Sequence, residues 1–569
     1  MTVRQMLPGR HRTVVELLRA AAEANADVEA LVEPWEGRGS VTFGAWDRAA
    51  DGVAGMLADR GVVRGDVVCL VLPSSIDYAV CYAAAARLGA VTSGVNPRMG
   101  PAEVASVVER AAPVVTVADP ALGVALPAGG AAGEVVARVE AHAAWEGPAP
   151  RRQPSLHDDD PVAVVWTSGT TGRPKGAVFD HRCLAAVSEG ADALSRPGDR
   201  RLSPLPFAHV GSMTKVWDEI AHGITTVITP TPWRAAEALA VMASERVTVG
   251  QGVPTQWQLV LALDELDHTD LSSLRIVGTG AAPMPASQVA ELRRRLGVPV
   301  VVRYASTETA ICTGTRPDDP DRVVATTVGR PVPGVALSVV DQDGREVGTG
   351  CPGRVRIRSR ATFCGYWNGR RDRRRDRRRG EPPRGTAHLV DEAATAPVRS
   401  PDGWVTTGDV GVVGEDGNLR LVGREQERYI RGGYNVYPVE VEDVLAGHPA
   451  VARAAVVGAP DPVLGEVGVA FVVPAAGAAG DVPAGDAAGG GAVAVPDLQE
   501  LRAFCAERLA DYKAPDVVVV LDALPLTPMM KVDKRSLAAP ARAAAAGRQV
   551  GRGPEDGKAG GNEREEHAR

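Results

Sequence analysis

The chain lacks the devices that would staple it covalently or anchor it in lipid. Its 569 residues hold seven scattered cysteines, with no CxxC pair and no Cys/His cluster. An odd, unpatterned set of thiols argues against a disulfide framework or a zinc site and reads as reduced intracellular cysteine. No stretch of about 18 apolar residues without charge occurs, so no membrane span is expected. The N-terminus, MTVRQMLPGRHRTVVELL, has no apolar core of the signal-peptide kind. A strong charge of one sign is missing too. The formal charge is −7, which gives no global pull towards nucleic acid or an anionic membrane. These absences predict a cytoplasmic protein without a nucleic-acid partner. They leave its oligomeric state open.

What is present suits a multidomain enzyme. The length exceeds one compact core, and the apolar fraction of 45% is ordinary for a globular chain. Residues 43–60 carry apolar residues at helical spacing, and GDVVCLVLP (65–73) reads as a buried parallel strand. Residues 77–97 then read as a helix, a glycine break and another strand. The alternation recurs through 161–310 and predicts a large α/β domain with parallel sheets. From about 324 to 422, short β-rich runs split by Asp-Gly turns predict a small antiparallel subdomain. A smaller α+β segment follows Arg424 and ends near Leu537. Three stretches look like additions: an arginine-dominated insert at 370–400, an Ala/Gly-rich insert at 474–496, and a tail from about 539. Their composition cannot bury enough apolar area to offset ordering entropy, so they are expected to be disordered or loosely held.

The strongest chemical signal is VAVVWTSGTTGRPKGAV (162–178). An apolar strand runs into Thr167, Ser168, Gly169, Thr170, Thr171 and Gly172, and the loop closes at Lys175. Glycines let backbone N–H groups turn towards an anion, hydroxyls add donors and the lysine adds charge, a chemistry suited to nucleotide phosphates. It is not a Walker loop, because Pro174 precedes the lysine and no Gly-Lys-Ser/Thr occurs here.

This string resembles the phosphate loop of the acyl-adenylate-forming superfamily, which includes acyl- and aryl-CoA synthetases, firefly-type luciferases and peptide-synthetase adenylation domains. LPFAHVG (205–211), GTGAAPM (278–284), RYASTET (303–309), GYW (365–367), DGWVTTGDVG (402–411), GREQERYIRGGYNVYPVEVE (423–442) and PLTPMMKVDK (525–534) follow in the family's order. The resemblance spans about residues 14–537. It implies a large N-terminal adenylation domain (1–423), a small mobile C-terminal domain (424–538) and a disordered tail (539–569). It also implies ATP, Mg²⁺ and coenzyme A as cofactors and a small-molecule carboxylic acid as substrate. By the same resemblance Thr307 holds the α-phosphate and Glu308 the metal. Gly280, Ala281 and Ala282 form the adenine turn, Tyr304 stacks on adenine, Asp409 accepts from the ribose and Arg424 reaches the nucleotide. Lys531 neutralises the adenylation transition state, His209 guards the acyl pocket, Gly432 and Gly433 pass a pantetheine arm, and Glu427 is the hinge between domains.

Some positions depart from the family's pattern. Met529-Met530 stand where Ser/Gly-Gly usually precede the catalytic lysine, Glu427 replaces the usual Asp or Lys, and Ala305 replaces a common glycine. Amino-acid-activating relatives place an Asp shortly after the LPF-type motif, whereas Ser212 to Lys215 offer no carboxylate. No carrier-protein serine motif follows. The expectation is a ligase that activates a fatty or aromatic acid and transfers it to coenzyme A. The alternatives are another acceptor (a carrier protein, an amine or another small nucleophile) and a degenerate nucleotide-binding protein without activity.

Overall fold

In the computed structural model the described residues are 3–6, 11–35, 39–127, 130–167, 174–190, 192–282, 284–369, 385–475, 497–527 and 530–550. The chain divides into two compact units. One is Met1–Leu421 with Pro528–Lys531, and the other is Val422–Thr527 with Val532–Arg569.

Local chemistry sets the elements of the large unit. Thr42 and Ser75, both extended, accept an N–H of the turn that follows on their hydroxyls, and so start the helices Phe43–Asp59 and Ile76–Arg87. Between these helices the apolar run Val67–Val71 is buried along its whole length. It pairs in parallel with Val91–Gly94 and with Val115–Ala118, the setting that a strand apolar on both faces requires. Among the described residues the unit holds a seven-stranded, a nine-stranded and a four-stranded sheet. The two larger ones have parallel centres. Their largest shared core packs the helices Val14–Ala24, Phe43–Asp59, Ile76–Arg87, His181–Glu189 and Val216–His222 against strands of both. At one end of the seven-stranded sheet, Pro161–Thr167 and Lys175–Asp180 pair antiparallel, with Gly365–Tyr366 beside them. The nine-stranded sheet carries the antiparallel hairpin Val300–Ser306/Ala310–Gly314. The four-stranded sheet, Val335–Val340, Gly353–Ser359, Val405–Val413 and Leu419–Arg424, is the small β subdomain.

In the small unit, Val451–Asp461 and Gly465–Pro474 form a long antiparallel hairpin, and Val517–Val520 adds in parallel. The helices Pro438–Leu445 and Leu498–Ala506 supply one cluster of the core around Tyr429, Val441, Leu445 and Leu501. The architecture is thus a large α/β unit with parallel sheets and a smaller α+β unit.

Two of the stretches expected to be disordered are in part ordered. Residues 370–384 of the arginine-rich insert lie outside the described residues, but 385–400 are folded. Leu389 and Thr395 are buried there, and the Asp391 N–H donates to the Tyr366 carbonyl at 2.7 Å. Of the Ala/Gly-rich insert, 476–496 lie outside the described residues. The segment expected to be a tail continues as the helix Lys534–Val550; residues 551–569 are not described. Alanine is the strongest helix former, and Leu537, Ala541 and Ala545, spaced by four, form a buried face packed on the long hairpin.

Candidate active site

The phosphate-loop strand and its partner bring Thr167 and Lys175 opposite each other. Ser168, Gly169, Thr170, Thr171 and Gly172, between them, lie outside the described residues. Lys175 Nζ lies 4.9 Å from the centre of the Tyr366 ring, a cation–π contact. Tyr366 reaches it because its short strand pairs with the lysine's own strand, Tyr366 opposite Ala177. The Tyr366 hydroxyl donates to Glu308 Oε1 at 2.7 Å, and the Phe363 N–H donates to the Glu308 carbonyl at 2.8 Å. Burial and the neighbouring carboxylate push the Tyr366 phenol far above its ordinary pKa, so it stays a proton donor.

Glu308 and Thr307 occupy the turn of the hairpin at the end of the nine-stranded sheet, both half-buried. The turn is pinned from inside. The fully buried Thr309 exchanges hydrogen bonds with Ser306, hydroxyl to hydroxyl at 2.8 Å and N–H to Ser306 Oγ at 3.2 Å. Tyr304 stands on the same hairpin, and its hydroxyl donates to Asp409 on the strand Val405–Val413. Tyr304, Cys312, Val355, Ile357 and Leu419 form the apolar cluster that fastens hairpin to sheet. The residues expected at adenine and at ribose are therefore one hydrogen-bonded pair. Beside them runs the turn Gly280–Ala281–Ala282. A Cβ on Gly280 would stand 2.3 Å from the Arg303 carbonyl oxygen, so only glycine fits. Ala281 takes a left-handed backbone, φ 70°.

His209 caps the short helix Val210–Met213, its Nδ1 accepting the Gly211 N–H at 3.2 Å. Burial and the nearby Lys531 ammonium push its pKa down to about 3, so the imidazole is neutral at working pH. Lys531 belongs to the large unit together with Met530. Met530 adopts φ 59°, the left-handed conformation that glycine takes without penalty. The chain thus keeps a glycine-like backbone before Lys531 although the glycine is gone. Further along, Lys215 is buried 3.7 Å from the fully buried Asp218, and Arg201 stands 2.9 Å from the same carboxylate oxygen. Burial, with the Arg201 charge, lowers the lysine pKa to about 8. A carboxylate does lie near the LPF-type segment, three residues beyond the span where the sequence offers none. It is already held by Arg201, Ser195 and His222.

Four expected residues lie in the small unit. The Arg424 carbonyl accepts the N–H groups of Glu427 and Arg428 at 3.1 and 3.2 Å. Glu427 Oε2 accepts from Lys534 at 2.9 Å, and Lys534 lies 2.8 Å from Glu442. Burial works against that lysine's charge, but the two carboxylates hold its pKa above the ordinary value. Gly432 and Gly433 have φ of 56° and 88° and make the turn between Tyr429–Arg431 and Tyr434–Val436. A Cβ on Gly433 would meet nothing within 4 Å. These glycines answer to backbone conformation, not to crowding.

The sequence reading gave Tyr366 no role, yet it joins Lys175 to Glu308. Its signal was the place of the GYW string in the motif order. Lys534 was likewise missed, and its partners lie far off in the chain.

The family model described as AMP-binding enzyme matches residues 18–367, and that of the AMP-binding enzyme C-terminal domain matches 440–531. The chain belongs to this family, the acyl-adenylate-forming ligases. It is accordingly an AMP-forming ligase that activates a carboxylate at the expense of ATP. It is 31% identical to the fatty acid–[acyl-carrier-protein] ligase ScoC of Streptomyces coeruleorubidus, over 88% of this chain and 92% of that one. It is 30% identical to the long-chain-fatty-acid–CoA ligase FadD13 of Mycobacterium tuberculosis, over 92% and 97%. The structure of the amide bond synthetase McbA from Marinactinospora thermotolerans matches with a TM-score of 0.75 at 28% identity, covering 93% of this chain and 99% of that one.

Proposed function

We propose that the enzyme activates a fatty or aromatic acid as its acyl-adenylate and transfers the acyl group to coenzyme A. The observation that carries the first half is the convergence of Lys175 and Glu308 on Tyr366. A cation at the end of the phosphate loop and a carboxylate, about 130 residues away in sequence, are held by one side chain. Lys175 and the loop before it take the β- and γ-phosphates, and Thr307 takes the α-phosphate. Mg²⁺ is hard and fits the Glu308 carboxylate, where it would offset phosphate charge. Tyr304 with Gly280–Ala282 receives adenine, Asp409 the ribose, and Arg424 the nucleotide from the small unit. The substrate carboxylate attacks the α-phosphorus, pyrophosphate leaves, and Lys531 stabilises the charge that builds in that transition state.

The acid is read as apolar. His209 is neutral, and Asp218 is committed to Arg201 and Lys215, so neither offers a counter-charge for an α-amine. Coenzyme A as acceptor rests on the open Gly432–Gly433 turn, which leaves a pantetheine arm room to pass the backbone. In the second half-reaction the thiol attacks the acyl carbon and AMP leaves. A backbone change at Glu427 lets the small domain serve each step in turn.

The test mixes ATP and Mg²⁺ with a panel of acids, follows pyrophosphate, and then looks for acyl-CoA by mass. Lys531→Ala should cut acid-dependent pyrophosphate release by about 10²–10³-fold and leave thioester formation from a synthetic acyl-adenylate intact. Pyrophosphate release without acyl-CoA would replace the thiol by a carrier protein or an amine. An unimpaired Lys531→Ala enzyme would remove the lysine from the first step.

A further inference from the structure

Seven cysteines without a pattern in sequence include one pair that the fold brings together. Cys183 on the helix His181–Glu189 and Cys364, just before Gly365–Tyr366, have their sulfurs 3.8 Å apart. Cys183 is 5% exposed, whereas Cys364 is partly open to solvent. Both line an open cleft of roughly 700 Å³ that the adenylation site does not use. Its wall carries Arg182, Arg358, Arg360 and Arg399; Arg182 is paired with Asp180, and Arg360 lies 3.5 Å from Glu189. Among the described residues, the buried Nε of Arg399 has no hydrogen-bond partner.

Asp180, Cys183 and Cys364 also place their ligand atoms within 4.8 Å of one another, which raises the thought of a metal. The carboxylate argues against it. Asp180 Oδ1 accepts the Cys183 N–H at 2.8 Å, and Oδ2 accepts from Arg182 at 2.6 Å. Two thiols in contact, beside a cationic cleft, fit a different chemistry. We propose that the cleft binds an anionic low-molecular-weight disulfide and that Cys183 and Cys364 exchange with it to form a reversible bond.

The more open Cys364 attacks one sulfur of the bound disulfide through its sulfur, giving up its proton. A mixed disulfide forms and the first small thiolate leaves. Cys183 then attacks the Cys364 sulfur, closes the internal bond and expels the second thiolate; the two protons from the cysteines end on the two small thiols. Protein thiols are oxidised, the small disulfide is reduced, and no other reactant is needed. Closing the bond draws the sulfurs from 3.8 Å to about 2 Å. Cys364 is two residues from Tyr366, so the shift displaces the phenol that holds Glu308. The internal bond therefore lowers adenylation.

The experiment uses the full chain with Cys351→Ser, which removes the exposed thiol. It compares oxidised glutathione, neutral bis(2-hydroxyethyl) disulfide and cationic cystamine, and follows the Cys183–Cys364 cross-linked peptide by mass. The peptide should form fastest with glutathione disulfide, by about tenfold over the neutral reagent, and slowest with cystamine. Arg399→Gln together with Arg358→Gln should erase the ranking. Cys183→Ser should stop at the mixed disulfide on Cys364, and Cys364→Ser should stay unmodified. Absence of the linked peptide, or equal rates for the three reagents, overturns the site. The cross-linked enzyme should lose about tenfold or more of its pyrophosphate release and regain it with dithiothreitol. Full activity of the cross-linked form overturns the link to Tyr366. The peptide measurement stands apart from the identity of acid and acceptor.

Discussion

At the scale of single residues, the site turns on a tyrosine whose two neighbours are opposite in charge. Tyr366→Phe keeps the ring under Lys175 but removes the donor to Glu308. A hydrogen bond to a charged acceptor contributes roughly 1.5–3 kcal/mol, so the pyrophosphate-release rate should fall by about ten- to a hundredfold. A Tyr366→Phe enzyme as fast as the parent would show that the phenol is not what orients Glu308. His181 poses a different question, one of stability. It is fully buried, and its Nδ1 accepts the Val14 N–H at 3.1 Å. Burial lowers its pKa to about 4, against the pull of Asp160 and Asp180. The unfolded chain takes up this proton near pH 6.5. Below that pH the unfolded state binds more protons, and stability falls until the folded state also protonates near pH 4. Thermal midpoints between pH 7 and 4.5 should drop more steeply for the parent than for His181→Gln, and equal slopes would remove His181 as the cause. Residues of this kind were legible in part. Lys175, Glu308, Tyr304 and Asp409 could be picked out because each sits in an ordered motif. The joining role of Tyr366, the glycine-like backbone of Met530 and the meeting of Cys183 with Cys364 depend on packing between distant segments, which no local pattern encodes.

At the scale of elements, periodicity told most where it was strong. The helix over 43–60 and the buried strand within 65–73 were visible as a helical stripe and a nearly continuous apolar run. Composition misled where it was taken for absence of structure. The alanine-rich stretch from about 539 has few large apolar groups, so it reads as a tail. Yet Leu537, Ala541 and Ala545 need only small volumes to sit on the hairpin Val451–Asp461/Gly465–Pro474. Ala541 is fully buried and Ala543 is exposed on the same helix. Ala541→Glu buries an unpaired carboxylate and should cost roughly 3 kcal/mol, read as a lower urea midpoint. Ala543→Glu should stay within about 0.5 kcal/mol of the parent. Equal midpoints for the two variants would mean that the helix adds nothing to the small unit.

At the scale of the whole molecule, the arginine-rich insert decides how far additions can be separated from the catalytic frame. Read as one block, 370–400 is a long loop between the GYW and DGW strings, and long surface loops cost little in closure entropy. The structure splits it. Residues 385–400 return to the site. The Thr395 Oγ1 accepts the Tyr366 N–H at 2.9 Å, Trp367 bridges to Val390, and Leu389 packs with Trp166, Val178 and Trp367. These contacts fix the short strand that presents Tyr366 to Lys175 and Glu308. Replacing 370–384 alone with a short Gly/Ser linker should therefore leave acid-dependent pyrophosphate release within about twofold of the parent, since the Thr395, Val390 and Leu389 contacts remain. Replacing 370–400 removes the Thr395 bond and the Leu389 side chain together. Adenylation should then fall by about a hundredfold, because small displacements of a positioned group suffice for that. Thermal midpoints recorded alongside separate a misplaced tyrosine from an unfolded unit. If the longer replacement kept full activity, Tyr366 would be held by its pairing with Lys175–Asp180 alone. If the shorter one abolished activity in a folded protein, the arginines would belong to the reaction after all, as contacts to ATP, to coenzyme A or to the acid.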